Sequence, residues 1–219
     1  MTLDSVNGAP HCSEESLEGS WFEVLEASRY RRQMQQPTFR RATHNDAAAV
    51  VDIVQRAYRG ESSRVGWTTE ADLIEGQRTD TAMVNDTINR ADAFILLAEH
   101  SGVGDGHRLV GCAELSTFNG KGGGGYFGMF AVDPALQGQG IGGVILNEIE
   151  RLMADDLGFE RLVLLVISLR VEMIDLYTRR GYVPTGDTVK FPYGDERYGR
   201  PTRNDLELLV MAKSLITGT

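Results

Sequence analysis

The stretch from Tyr126 to Leu152 constrains this chain more than any other. An apolar run (Tyr126, Phe127, Met129, Phe130, Ala131, Val132) reads as a buried strand. Asp133-Pro134-Ala135-Leu136-Gln137-Gly138-Gln139-Gly140-Ile141-Gly142-Gly143 follows, after which Ile141, Ile145, Ile149 and Leu152 share one helical face. Strand, glycine-rich turn and helix start make a place for phosphate. The first helical turn carries unpaired N–H groups and the positive end of the dipole. Glycines remove the side chains that would hold a pyrophosphate at a distance. No lysine follows in a Walker arrangement, so a nucleoside triphosphate is disfavoured. Gly138, Gly140 and Gly143 also fit the dinucleotide spacing G-x-G-x-x-G. That reading fails on context, because Asp133 to Gln137 separate the strand from the first glycine. The next strand, Leu162 to Ile167, ends in Ser168, Leu169 and Arg170, without an acidic residue for a ribose hydroxyl.

Gln137-x-x-Gly140-x-Gly142 resembles the Q/R-x-x-G-x-G/A pyrophosphate motif of the GNAT superfamily of acyl-CoA-dependent N-acetyltransferases. Phe130-Ala131-Val132-Asp133-Pro134 looks like the strand end that precedes it there. Leu176-Tyr177-Thr178-Arg179-Arg180-Gly181-Tyr182 is similar to the second family signature, L-Y-x-x-x-G-F/Y. The resemblance runs from about Thr38 to Leu215. It implies an α/β fold: a mixed, mostly antiparallel central sheet with two splayed parallel strands, flanked by helices. It also implies acetyl-CoA as acyl-donor cosubstrate and no metal. By family position the donor is held by Met129, Phe130, Ala131, Val132, Gln137, Gly138, Gln139, Gly140, Ile141 and Gly142.

Organisation along the chain divides it into an extension, residues 1–36, and a domain, residues 37–216. Within the extension Ser20 and Glu23 match a capping box for a short helix near 20–34. Trp21 and Leu25 would pack that helix on the domain or form a partner or dimer contact. After Pro37, the pattern predicts a strand at Thr38 to Ala42 and a helix to about Tyr58. Short helices are expected near Glu70 to Glu75 and Thr81 to Arg90. Phe94 to Ala98 and Leu109 to Phe118 read as an antiparallel pair joined by the turn Gly102 to Gly106. Asn119 to Gly125 reads as a mobile glycine loop without core residues. The cofactor helix should run to about Asp155, followed by a strand at Arg161 to Ile167 and a helix from Val171 to Arg180. Strands near Tyr182 to Val189 and Leu206 to Ala212 close the sheet.

With 219 residues, 42% of them hydrophobic, the chain is long enough for a sizeable core. A net charge of −9 disfavours unspecific grip on nucleic acid or an anionic membrane, so neither is an expected partner. Cys12 and Cys112 stand alone and indicate neither a disulfide framework nor a zinc site. Free cysteines, no signal peptide and no spanning apolar run point to a cytoplasmic protein.

Acyl transfer from a thioester to an amine needs a fixed carbonyl, a neutral amine and a stabilised thiolate. The resemblance assigns the first task to the backbone of Met129 to Val132, whose N–H groups face the developing oxyanion. Tyr177 is the candidate general acid by family position, since a phenol at about 10 can donate to a thiolate whose acid is at about 8.5. An alkyl amine at about 10.4 is about 0.04% neutral at pH 7, so a base is needed. Many relatives have Glu where this chain has Tyr126, a departure that leaves the base open; Glu114 on the neighbouring strand is the nearest substitute, and Glu61 and Glu70 compete for the role. Glu61, Trp67 and Glu70 are the expected acceptor-side residues. Tyr193, Asp195, Glu196 and Tyr198 would also suit a cationic amine. Relatives often have Asn, bonding the pantetheine, at Arg170, which is a further cofactor-binding candidate and here can hold a phosphate or an acidic group on the acceptor, or sit exposed at a helix start. The expectation is an N-acetyltransferase acting on a small-molecule primary amine by direct attack in a ternary complex. The alternatives are a protein (N-terminal or lysine) acetyltransferase and a non-catalytic CoA-binding sensor.

Overall fold

The computed structural model describes residues 36–64, 66, 68–101 and 107–216. The expected N-terminal helix, Trp67 and the turn Gly102 to Gly106 lie outside the described residues.

Long apolar runs such as Phe94 to Ala98 belong to strands covered on both faces, and that is how they are used. Strand β1 (Thr38–Arg41) pairs antiparallel with β3 (Ala93–Ser101), and β3 with β4 (His107–Thr117). A seven-stranded sheet follows in the order β1-β3-β4-β5-β6-β9-β7, with β5 at Gly125–Val132, β6 at Arg161–Ile167, β7 at Val183–Lys190 and β9 at Glu207–Ser214. On one face Ile95, Leu97, Cys112 and Met129 pack with Val50, Ile53, Val54 and Ala57 of helix α1 (Ala47–Tyr58). A four-residue helix, α2 (Gly60–Ser63), follows α1, and α3 (Thr81–Asn89) adds Val84 to the same cluster. On the other face Leu96, Val110, Leu115 and Phe127 meet α4 (Ile141–Arg151) and α5 (Val171–Arg179).

Every neighbouring pair in this sheet is antiparallel except β5 and β6. That parallel pair, connected through α4, is joined only at Gly125–Leu162 and Tyr126–Val163 and then splays. The expected fold is therefore present.

Some boundaries differ from expectation. Residues 71–73 form a turn and Ile74–Glu75 a short strand, β2, where a helix is expected from Glu70 to Glu75. The cause is long-range: β2 pairs with β8 (Arg200–Pro201), and Ile74 is buried with Ile167, Phe191 and Leu206. Helix α4 leaves α geometry after Arg151 and continues as a π turn over Leu152–Asp156. The glycine loop before β5 is tied down: Arg161 donates to the carbonyls of Lys121 (3.3 Å) and Gly123 (3.1 Å), and Lys121 pairs with Asp187 at 3.1 Å. Gly125 already belongs to β5, where a Cβ would come within 3.0 Å of Met153 Sδ.

Candidate active site

The fork between β5 and β6 begins with an irregularity in β5. Cys112 pairs with Ala131 and Glu114 with Gly128, so Ala113 alone faces both Met129 and Phe130. This is a β-bulge, which bends the strand and re-aims its groups. Met129 carries it at φ +46°, the only non-glycine with positive φ among the described residues. Such a conformation costs roughly 1–3 kcal/mol and persists only where its surroundings impose it. Here the Tyr58 hydroxyl, at the end of α1, donates to the Phe130 carbonyl at 2.6 Å. Gly128 leaves room for the Tyr126 ring, since a Cβ there would run into its hydroxyl. Beyond Tyr126 the edge of β5 has no strand partner on the β6 side. Of its carbonyls, that of Phe130 is held by Tyr58 and that of Val132 by Gln137; the rest of this edge is not covered by a neighbouring strand. Met129, Ala131 and Val132 are themselves buried, so at these expected cofactor positions the main chain is what the fork presents.

At the end of β5, Asp133 accepts from the Ala135 N–H (3.0 Å) and from Arg108 Nη2 (2.9 Å), with Arg56 Nη1 at 3.2 Å. Burial alone would raise this carboxyl. The Arg108 and Ala135 hydrogen bonds and the Arg56 charge overcome it and hold the pKa below the ordinary range. The turn that follows places Gly138 at φ +78° and Gly140 at φ +86°, and a Cβ on either would meet nothing within 4 Å. Both glycines are needed for backbone conformation, and the space over them is open. Gly140 is the N-cap of α4 and supplies no side-chain cap. The helix's first backbone bond runs from Val144 N–H to the Gly140 carbonyl, so the N–H groups of Ile141, Gly142 and Gly143 precede the first intrahelical bond. Burial of Ile141, Ile145, Leu146 and Ile149, at roughly 1.5–3 kcal/mol each, holds the helix while this end stays uncapped. The Gln139 amide donates to the Ala135 carbonyl at 3.2 Å and is exposed.

Gln137 turns inward. Its amide donates to Thr68 Oγ1 (3.0 Å) and to the Val132 carbonyl (3.2 Å), tying the turn to the loop after α2. Gly66 explains itself here, since a Cβ on it would come 2.6 Å from Gln137 Oε1. Arg180, at the C-terminal end of α5, donates to the Gly143 carbonyl at 3.3 Å and to Asn147 Oδ1. It brings a positive charge beside the helix start.

A cavity of about 580 Å³ opens at the fork, with Met129, Phe130, Tyr177, Glu114, Tyr126 and Tyr58 in its wall. Tyr177 is held edge-on to Phe127 (6.0 Å) and Tyr182 (5.8 Å) by the second signature. Gly181 ends α5 at φ +88°, letting the Tyr182 N–H close on the Tyr177 carbonyl at 3.0 Å, and Tyr182 is fully buried. The Tyr177 hydroxyl has no hydrogen-bond partner among the described residues. Burial first, then the neighbouring Tyr58 and Tyr126, push its pKa well above the ordinary phenol value. It stays protonated, as a proton donor must.

Glu114 also lines the cavity, with Arg90 Nη1 3.5 Å away. Burial raises its pKa above the ordinary carboxyl value, against the pull of Arg90 and Arg78. A carboxylate so placed is a better base than a solvated one. Tyr126, pushed up to about 12 by burial and by Glu114, is protonated and not itself a base at neutral pH.

The acceptor side departs from expectation. Glu61 is 91% exposed, pairs with Arg64 at 3.1 Å and takes no part in the cavity wall. Glu70 is in the wall, but Arg59 Nη1 lies 2.5 Å from it, and Arg78 and Arg170 each approach to 3.9 Å. Its charge is already compensated, so it is not a free anchor for an ammonium group. Asp195 is taken by Arg197, and the Tyr193 hydroxyl accepts from the Leu206 N–H at 2.6 Å. Tyr198 does line the cavity. Arg170 is 6% exposed and not a solvent-facing helix start. Its guanidinium meets Glu172 and the Thr68 carbonyl (3.2 Å), clamping the Thr68 loop to α5. Tyr58, Arg59, Arg78, Arg90 and Thr68 are site residues that sequence reasoning missed. Only the aromatic end of the α1 pattern could have flagged Tyr58.

Among the described residues no helix is long and apolar enough to cross a membrane, and no group of three or more His, Cys, Asp or Glu is placed to hold a metal ion. No curated protein matches the chain. Solved structures share its fold. A spermidine/spermine N-acetyltransferase from Vibrio cholerae, in complex with manganese ions, is 16% identical at a TM-score of 0.55, over 83% of this chain and 94% of that one. An N-acetyltransferase from Staphylococcus aureus Mu50 is 14% identical at 0.58, over 83% and 99%. A putative phosphinothricin N-acetyltransferase is 19% identical at 0.53, over 83% and 99%. The sequence model of the Acetyltransferase (GNAT) family matches residues 48–182, the span that holds the bulged strand, the glycine turn and Tyr177. The chain belongs to that family of acyltransferases.

Proposed function

We propose that this protein transfers an acetyl group from acetyl-CoA to the primary amine of a small molecule, by direct attack with both substrates bound. The observation that carries the reading is the continuity of an unpaired, bulged strand edge with an uncapped glycine helix start. Acetyl-CoA would supply an activated thioester carbonyl and a pyrophosphate for these two surfaces. The first N–H groups of α4 would hold the pyrophosphate, with Arg180 adding positive charge nearby. The backbone of Met129 to Val132 would align the pantetheine arm and stabilise negative charge on the thioester oxygen. Glu114 would take the ammonium proton, directly or through water. The amine nitrogen would then bond to the acetyl carbon as the carbon–sulfur bond breaks; Tyr177 would give its proton to the sulfur, and the second proton shed by the nitrogen would pass through water to restore the Tyr177 hydroxyl. Arg170 and Gln137 would act as positioning residues, joining the acceptor loop to α5 and to the turn. A walled cavity of about 580 Å³ suits a small acceptor better than a protein chain.

Thermal melting tests the binding half. Acetyl-CoA at 100 times its Kd should add about 2.7 kcal/mol, or roughly 5–10 °C in a domain this size. Stabilisation by NADH and none by acetyl-CoA would overturn the assignment.

A further inference from the structure

Acetyl transfer leaves open what the acceptor carries besides its amine, and the basic wall of the cavity bears on that. Arg170 is matched by Glu172, Arg59 and Arg78 both face the carboxylate of Glu70, and Arg78 also feels the charge of Glu114 across the cavity. Arg59 is 2% exposed, engages that carboxylate at 2.5 Å, and has a buried Nε without a hydrogen-bond partner among the described residues. Arg78 lines the cavity, and its guanidinium makes no hydrogen bond to a described residue. The Glu70 oxygen 3.9 Å from its Nε is the one Arg59 already holds.

Arg78 is nonetheless fixed in place. Its backbone N–H donates to Gln55 Oε1 (3.1 Å), and the Gln55 amide donates to the Gly76 carbonyl (3.1 Å), which anchors the main chain there. Its guanidinium lies 5.4 Å from the ring centre of Tyr58, whose hydroxyl holds the bulge carbonyl of Phe130 at 2.6 Å. One aromatic ring thus separates a guanidinium with unused donors from the backbone that would hold the acetyl carbonyl. Such a cation in a partly enclosed cavity is costly unless neutralised, and a carboxylate matches its fork of donors.

We propose that the acceptor is a small amine that also bears a carboxylate, as an amino acid does, and that Arg78 binds this carboxylate while the amine faces Glu114. This rests on the acetyl-transfer reading. The test is amine-dependent thiol release from acetyl-CoA by the full chain, with the common L-amino acids, each matched to its carboxamide, and spermidine. At least one amino acid should exceed its carboxamide by tenfold or more in kcat/KM. Arg78→Gln should raise the KM for that amino acid about 10- to 100-fold with a much smaller change in kcat, and Arg78→Lys should recover part of it. A melting rise with acetyl-CoA equal to wild type shows that the variants are folded. Turnover of carboxamides or spermidine as good as that of every amino acid overturns the inference, as does an unchanged KM in Arg78→Gln. If no amine releases thiol, melting of the CoA-bound protein decides. A rise with an amino acid that is absent in Arg78→Gln supports the carboxylate site, and no rise with any amino acid overturns it. Failure of the acetyl-transfer reading is told apart by acetyl-CoA itself leaving the melting temperature unmoved.

Discussion

Two glycines two residues apart in the turn before α4 should respond oppositely to the same methyl group. Gly140 sits at φ +86°, ψ −7°, a left-handed conformation. Alanine there costs roughly 1–2 kcal/mol for the strained backbone, although its Cβ would touch nothing within 4 Å. Gly142 lies inside the first turn of α4 with an ordinary φ. Its Cβ would rest 3.6 Å from Val132 Cγ2 and 3.8 Å from Phe130 Cζ, normal contact distances. Alanine there gains helix propensity, up to about 1 kcal/mol and less so near a helix end. At 2–4 °C per kcal/mol, Gly140→Ala should melt roughly 2–8 °C below wild type and Gly142→Ala at or slightly above it. Differential scanning calorimetry without ligand measures the gap. With acetyl-CoA, Gly142→Ala should keep its stabilisation, and Gly140→Asp, which adds negative charge at the helix start, should lose it. Equal melting temperatures for the two alanine variants would refute the left-handed cap. Full acetyl-CoA stabilisation of Gly140→Asp would refute the phosphate site.

Tyr177→Phe should lower kcat by roughly 10²-fold with little change in acetyl-CoA affinity, because the ring stays packed on Phe127 and Tyr182 and only the proton is lost; unchanged turnover makes Tyr177 a core residue. Glu114 titrates facing Arg90, Arg78, Asp92 and Tyr126. With its pKa raised, kcat/KM should fall as pH drops through a value above the ordinary glutamate figure of about 4.3, and Glu114→Gln should abolish that limb. A pH–rate profile of the variant that matches wild type would clear Glu114 of the role. Asp133→Asn should cost about 1–3 kcal/mol at pH 7 through the lost Arg108 and Arg56 interactions. The folded-state pKa of Asp133 is depressed, so its contribution is full above the unfolded value of about 3.9 and is lost as pH falls through the folded value. The difference between wild type and Asp133→Asn in denaturant melts should therefore shrink below pH 4.

The strand, glycine turn and helix were legible because each rests on local signals: an apolar run, glycines in special conformations, and a 3.6-residue stripe. Tyr177 followed from its motif, and Glu114 from its neighbouring strand; both line the cavity. What escaped is long-range. Met129 carries no sequence sign of a left-handed backbone, since the bulge depends on Tyr58 from α1 and on the smallness of Gly128. The β2–β8 ladder joins two-residue strands far apart in the chain, too short for any period. Glu70 was expected on the acceptor side by family position, and it does line the cavity. What sequence did not show is that Arg59, Arg78 and Arg170, from three separate segments, surround its carboxylate. Likewise Gln137 looked like a ligand contact, and its amide is spent on Thr68 and Val132.

The central claim is that the forked strand and the glycine turn together carry out amine acetylation, and amine-dependent release of free thiol from acetyl-CoA tests it most directly. With a panel of small primary amines, the full chain should release thiol in step with the N-acetylated product, and Gly140→Asp should show neither. Release of no thiol with any amine, in a protein that acetyl-CoA still stabilises, would contradict the claim and leave a CoA-binding sensor in its place.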